Sequence, residues 1–560
     1  MKPPSRSRPR RPVGAAFGEK SVSMVTVTSV TLPSGASAGY VSEAVLAGIA
    51  PQKPLPARKS TGSGSRVKVT VLSNLLLFIL VAAALSTDIR AAETQPSNQQ
   101  PVNTTQLAAW LTGGVPSSRL AHLVTQRGLA TLPTRSELRE IESLGANKAL
   151  MGVLNSGKVQ SASVGVPIPQ ALLKAAAEAR QQHFREAEAD LREVVGTDSQ
   201  NSALHFALGV VYRQQEKWDE AFDELTQATQ IMPHLPENHA ALAYLFYRMD
   251  DGPNAIAEAR TALSLDPNDA EAYQYLGLGL YSNGQYSAAV HAYAESLARD
   301  HDNADTYYDM GIALHADGNL PRAISAYEQA IRLRPEFWEA HANLGLIRHE
   351  EGNLTQAVTE YRAAKRIAPG EASIRNNLGN TYCDQGNFDS AIEELHVLYR
   401  EHPEWQQGHA CLASAYMAKK DYGAAVTELR LALLQNPTGS TEHRILGQAL
   451  LLDNQPEEAL RELRLAVSLN PDSDLAHHLL GTVLFEQQQL QAAEKEFREA
   501  LRVNASADNH YSLAACLMSL DRNEEALSEL EMATRLDPER TLYRARREEL
   551  LKLMKEPSSR

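Results

Sequence analysis

Cysteine is scarce in this 560-residue sequence: Cys383, Cys411 and Cys516 are the three, and they stand far apart. Such a set offers neither a disulfide framework nor a zinc spacing, so each is expected to be a small, semi-buried side chain. Long apolar runs are missing too. The unbroken run Leu75–Leu85 is eleven residues, whereas a membrane span needs about twenty. Positive charge is in deficit, with a net charge of −14. Residues 1–68 hold eleven Lys/Arg against Glu19 and Glu43, a net +9, which leaves −23 on the remainder. A body so acidic is not expected to bind nucleic acid.

Catalytic signatures are equally thin. Gly152–Val159, "GVLNSGKV", has the glycine and lysine spacing of a phosphate loop, but Val159 stands where a magnesium-binding Ser or Thr is needed and no strand precedes it. "GASAG" at Gly35–Gly39 fits a nucleophile elbow in letters alone, in a stretch with no strand–turn–helix to hold Ser37. The 17 histidines contain no HExxH pair, and the adjacent His477 and His478 read as one exposed and one packed residue. No catalytic residue, metal ligand or cofactor is expected, and the chain is not expected to be an enzyme.

What is present begins with a leader, residues 1–66, rich in Pro, Ser, Gly, Arg and Ala and read as disordered. Residues 67–90 come next, where Arg66 and Lys68 flank the apolar run and Ala84-Leu85-Ser86 offers small residues for cleavage. An apolar core of about 7–15 residues suits a signal peptide, and extension back through Val69 makes a membrane anchor. Both of these readings put the rest of the chain on the far side of a membrane, whereas a buried helix, the third reading, does not. Residues 103–157 have helical spacing, with Pro116 opening one helix and Thr134 or Ser136 available to cap the next. This segment looks like a short helical module found before repeats in bacterial envelope proteins.

From 168 to 538 the sequence repeats itself with a period of 34 in all but the last of eleven units. "MGIALHADGNLPRAISAYEQAIRLRP" (Met310–Pro335) returns as "LGLIRHEEGNLTQAVTEYRAAKRIAP" (Leu344–Pro369). The twentieth position is Ala in all eleven units, from Ala187 to Ala526. The eighth is Gly in seven and Ala in four, and a closing Pro ends eight. Each unit holds two helical stretches around a polar break that often carries Gly, as at Gly284, Gly318, Gly352 and Gly386. A small eighth residue lets the first helix approach the second, where the Ala at the twentieth position is expected to face it. The Gly suits a left-handed cap. Residues 539–556 read as a solvating end helix with Tyr543, Leu550 and Met554 on one face.

This pattern resembles the tetratricopeptide repeat. The resemblance implies an all-α, right-handed α-solenoid whose first helices line a groove that usually binds a peptide. Four residues after the Gly/Ala, successive units place Arg213, Tyr247, Tyr281, His315, His349, Cys383, Met417, Leu451, Phe485 and Met518. Beside this row, Asn343 and Asn377 match an Asn in the repeats of O-linked N-acetylglucosamine transferases, where it contacts substrate backbone. The candidate groove residues are therefore Arg213, Tyr247, Tyr281, Tyr308, His315, Asn343, His349, Asn376, Asn377 and Asn380. The expected function is a non-catalytic protein–protein interaction scaffold, extracytoplasmic, with an unidentified protein or peptide partner and membrane attachment through residues 67–90 if that segment is kept. Two alternatives stay open: a cytoplasmic regulatory adaptor, and a non-catalytic partner or remnant of a repeat-containing glycosyltransferase.

Overall fold

The computed structural model describes residues 101–156 and 167–555. The basic leader and the signal or anchor segment expected at 67–90 lie outside the described residues. Among the described residues there are 27 helices and one isolated parallel bridge, Val102 to Leu129. No helix among them is long and apolar enough to cross a membrane. The fold is an all-α solenoid of helix pairs, divided into two compact units that part between Ala326 and Tyr327.

Eleven helix pairs follow one template. In the fourth repeat the first helix is Ala270–Ser282 and the second Tyr286–Arg299. Asp269 starts the first by accepting a hydrogen bond from the Ala272 amide, which satisfies one of the donors a helix start leaves open. The turn is closed by Gly284, at φ +72°, whose neighbour Gln285 donates its amide to the Leu280 carbonyl at 2.9 Å. That geometry needs a left-handed residue, and glycine adopts it without a Cβ clash. Gly318, Gly352 and Gly386 do the same, whereas Gln182, Glu216, Asp250, Lys420, Asn454, Gln488 and Asp521 take positive φ without being glycine.

The alanine at the twentieth position is 0% exposed in every repeat. It is not, however, the main neighbour of the small eighth residue. A Cβ placed on Gly345 would stand 2.9 Å from the Tyr361 ring, and one on Gly277 2.4 Å from Tyr293. Gly209, Gly379 and Gly447 press on Leu225, Leu395 and Leu463 in the same way. The residue four beyond the alanine therefore fills the seam, because it leans back over the preceding helical turn. The alanine leaves room for the backbones to close.

The unit that ends at Ala326 also holds the N-terminal helices. Thr104–Thr112 is capped by a reciprocal Asn103–Gln106 pair, and Arg135–Ser143 by Thr134 with Glu137; of the two expected caps, Thr134 is the one used. Helix Thr104–Thr112 lies against the first helices of repeats one and two, Gln170–Arg180 and Ser202–Gln214. Leu107, Ala108, Ala109 and Trp110 merge there into the same apolar core as Leu172, Leu204 and Leu208.

The unit that starts at Tyr327 ends in helix Thr541–Lys555, with Tyr543 and Leu550 buried. Met554, expected beside them, is 41% exposed, because it lies at the open end of the helix beyond the last repeat's reach. The cysteines also depart from expectation. Cys383 and Cys411 form a disulfide, with Cα atoms 6.0 Å apart, between the first helices of repeats seven and eight. Cys516 is buried and free. Residues 28 apart in sequence become neighbours because stacking brings successive first helices side by side. His477 and His478 are both buried, the first on Glu496 and the second on Asn509.

Candidate peptide-binding face

First helices of neighbouring repeats contact one another in both units, at repeats three and four and again at seven and eight, while the second helices stay further apart. The first helices thus line the inner face of each unit. Side chains at the sixth, ninth and twelfth positions of the repeat point along it, three to four residues apart on one helical stripe.

In the unit ending at Ala326, this stripe is aromatic with one charge at each end. The Arg213 guanidinium lies 5.1 Å over the Tyr244 ring, with its Nη1 3.5 Å from the Tyr275 hydroxyl. Tyr244 packs on Tyr275 at 5.3 Å between centroids and on Tyr247 at 6.3 Å. Tyr275 donates its hydroxyl to Glu271. Tyr281 meets Tyr286 at 5.4 Å. Beyond them Gln274 donates to Asp309 at 3.0 Å. Burial pushes the Asp309 carboxyl up to about 7, opposed by the Gln274 hydrogen bond and helped by Asp305. Burial also raises the Tyr281 hydroxyl to about 12 and lifts that of Tyr247, which additionally feels Asp309. Phenols that stay neutral, with rings packed at a tilt to one another, form a firm wall for hydrogen bonding and stacking.

The N-terminal helices close the start of this stripe. Arg119 pairs with Glu237 at 3.0 Å, with Asp266, and with Asp269 at 3.6 Å. Trp110 is 1% exposed against repeats one and two. A segment of the same chain thus covers part of the first helices of repeats one and two and reaches the helix starts of repeats three and four.

Of the expected groove residues, Arg213, Tyr247 and Tyr281 are brought together here, and Tyr308 and His315 come on the next first helix, Ala304–Ala316. Tyr244, Tyr275 and Asp309 belong to the same stripe, with Gln274 beside it, and were missed by sequence reasoning, which in these repeats followed the twelfth position. The signal for the first three was the sixth and ninth positions, where Asn343, Asn377 and Asn380 stand in later repeats.

The unit starting at Tyr327 presents a different inner face. Asn376, 1% exposed, donates to Asn377 at 3.5 Å, and Asn380 lies one turn further along the same helix, Ala372–Asp384. Asn343 is buried on the preceding first helix. His349 was expected on the groove; its side chain is 8% exposed and its Nε2 is 2.6 Å from Asp384, itself 4% exposed. A residue at the thirteenth position of the next repeat reaches it, so the pair binds two repeats together. Cys383, in the same expected row, is consumed by its disulfide.

Among known proteins, no curated sequence matches the chain. Solved structures with related helix arrays include PilF of Pseudomonas aeruginosa, 20% identical over 38% of this chain and 96% of its own, with a TM-score of 0.34. MamA is 26% identical over 29% of this chain and 94% of its own, at 0.26. The Cut9–Hcn1 hetero-tetramer structure aligns over 69% of this chain and 91% of its own at 13% identity and 0.36. Family models for the tetratricopeptide repeat match residues 172–236, 308–372 and 478–540, with related repeat models at 278–318 and 372–396. The helix pairs in these stretches match the tetratricopeptide repeat.

Proposed function

We propose that the protein is a non-catalytic interaction scaffold, working outside the cytoplasm, that holds an extended or helical segment of a protein partner on the inner face of its repeats. Tetratricopeptide repeats generally serve protein–protein interaction. The observation that carries the reading here is the ordered stripe Arg213–Tyr244–Tyr275–Tyr247, which continues through Tyr281 to Asp309. Rigid tyrosines supply large contact area at low entropic cost and hydrogen-bond a peptide at their hydroxyls. Compartment is supported by the Cys383–Cys411 disulfide, since reducing cytosol keeps thiols open, and by the export-like segment at 67–90.

Two measurements test this. A photo-crosslinking residue at position 281 of the full chain captures the partner in the native cell, while the same residue at exposed Thr359 does not; equal labelling at both positions overturns the inner-face assignment. Thiol labelling of the protein as isolated leaves Cys383 and Cys411 unmodified until a reductant is added. Free thiols in the native protein would instead point to the cytoplasmic adaptor.

A further inference from the structure

Histidine recurs at the fourth position of the repeat and makes the same contact each time. Nδ1 of His205, His239, His443 and His477 lies 2.5, 2.6, 2.6 and 2.6 Å from a glutamate oxygen nineteen residues ahead, on Glu224, Glu258, Glu462 and Glu496. Their Nε2 atoms lie 3.0, 2.8, 3.1 and 3.1 Å from the main-chain oxygen six residues behind, on Ser199, Pro233, Pro437 and Pro471. The glutamate sits on the second helix of the same repeat, and the carbonyl belongs to the turn that closes the preceding one. The carboxylate half of the contact recurs at His341, His409 and His510.

A carbonyl oxygen only accepts, so Nε2 must carry a hydrogen. A neutral ring would then turn the lone pair of Nδ1 toward a carboxylate oxygen at hydrogen-bond distance. The contact becomes favourable when one more proton lies between them, making an imidazolium paired with a carboxylate. Repeat seven carries the same joint with a permanent cation. There Arg375 stands at the fourth position, with Nη1 3.2 Å from Glu394 and Nη2 3.2 Å from the Pro369 oxygen. Repeat four has Tyr273 at that position, and its closing-turn carbonyl, on Pro267, takes Arg299 at 3.2 Å instead.

We propose that His205 and His239 are proton-dependent clamps, each tying its own repeat to the one before it as an imidazolium and releasing that joint on deprotonation. The charges facing them are acidic: Glu224 and Asp198 at His205, and Glu258 at His239. The hydrogen bond that His205 donates to Glu224 holds it above its ordinary value against burial. Burial is the largest influence on His239 and lowers it, yet Glu258 and the Pro233 carbonyl together leave it raised. A histidine raised in the folded state gives stability that is complete below its unfolded value, near 6.5, and lost as pH climbs through the folded value. The joints at His205 and His239 therefore tighten in acid and loosen above neutrality.

Hydrogen exchange of the full chain, corrected for intrinsic rates, reads this joint by joint between about pH 6 and pH 8.5. Protection of the turns just before His205 and His239 is expected to fall as pH rises, while the turn before Arg375 stays level. Changing His205→Arg and His239→Arg should copy the Arg375 joint and abolish the fall at those two turns. His205→Gln with His239→Gln should show, already at pH 6, the low protection of the unaltered chain at pH 8.5. Asp309 shares this unit, so the fall is also read in the Asp309→Asn variant, where it is expected to persist. Level protection at all three turns, loss of the fall in Asp309→Asn, or an unchanged slope in the arginine variant overturns the proposal.

Discussion

Asp309 sits recessed among tyrosines, its charge acting on Tyr247 and Tyr293, with Gln274 as hydrogen-bond donor. Its carboxyl is raised to about 7 because burial penalises the anion. A raised carboxyl binds its proton more tightly in the folded state, so folding gains stability in acid and loses it as pH climbs from the ordinary carboxylate range toward 7. At neutral pH the anion is a cost. Asp309→Asn keeps the shape and the acceptor oxygen for Gln274, so it should raise stability at pH 7.5 by ~1–3 kcal/mol and be near neutral at pH 4. Urea unfolding at the two pH values checks this; equal effects at both would place the carboxylate in water. The same residue is where a cationic group of a partner would be rewarded most, since charge pairing strengthens in a poorly solvated site.

Between helices, the seam is set by what the eighth residue leaves free. At Gly345 the Tyr361 ring already occupies the space a side chain would need, and Tyr361 is 1% exposed. Gly345→Leu should therefore cost about 1–3 kcal/mol through overpacking, whereas Thr359→Leu, on an exposed position of the second helix, should stay within about 0.5 kcal/mol. Thermal melting of the two variants side by side decides it. Equal curves would mean that the helices are packed in another register. The left-handed turn residue is a second device of the same scale: all eleven repeats require it, but seven accept the strain of a non-glycine.

At the scale of the molecule, repeats contact their neighbours and little else, so stability is a chain of local terms. The Cys383–Cys411 bridge adds a covalent constraint to that chain. It closes a loop of 28 residues, for which the loop-entropy relation gives ~3–4 kcal/mol. Replacing both cysteines by alanine should lower hydrogen-exchange protection in repeats seven and eight and leave repeats two and three unchanged. A uniform loss across both units would show long-range cooperativity that nearest-neighbour stacking does not provide.

The 34-residue period, the invariant alanine and the glycine-marked turns were legible in the letters because each answers to a local demand: a close backbone approach, a left-handed φ, a helix stop. These determined an all-α solenoid of helix pairs. The candidate inner face was legible in part, along the row at Arg213, Tyr247 and Tyr281 and at Asn343 and Asn377 beside it, because helical spacing repeats with the unit. Tyr244, Tyr275 and Asp309 joined it only in the fold, where adjacent first helices interleave two rows that the sequence keeps apart. The disulfide, the sequestered His349 and the occupation of repeats one and two by helix Thr104–Thr112 were likewise decided by the tertiary structure. Each pairs residues from different repeats or from outside the array, and a contact across a stack depends on the distance between helices, which no spacing within one helix encodes.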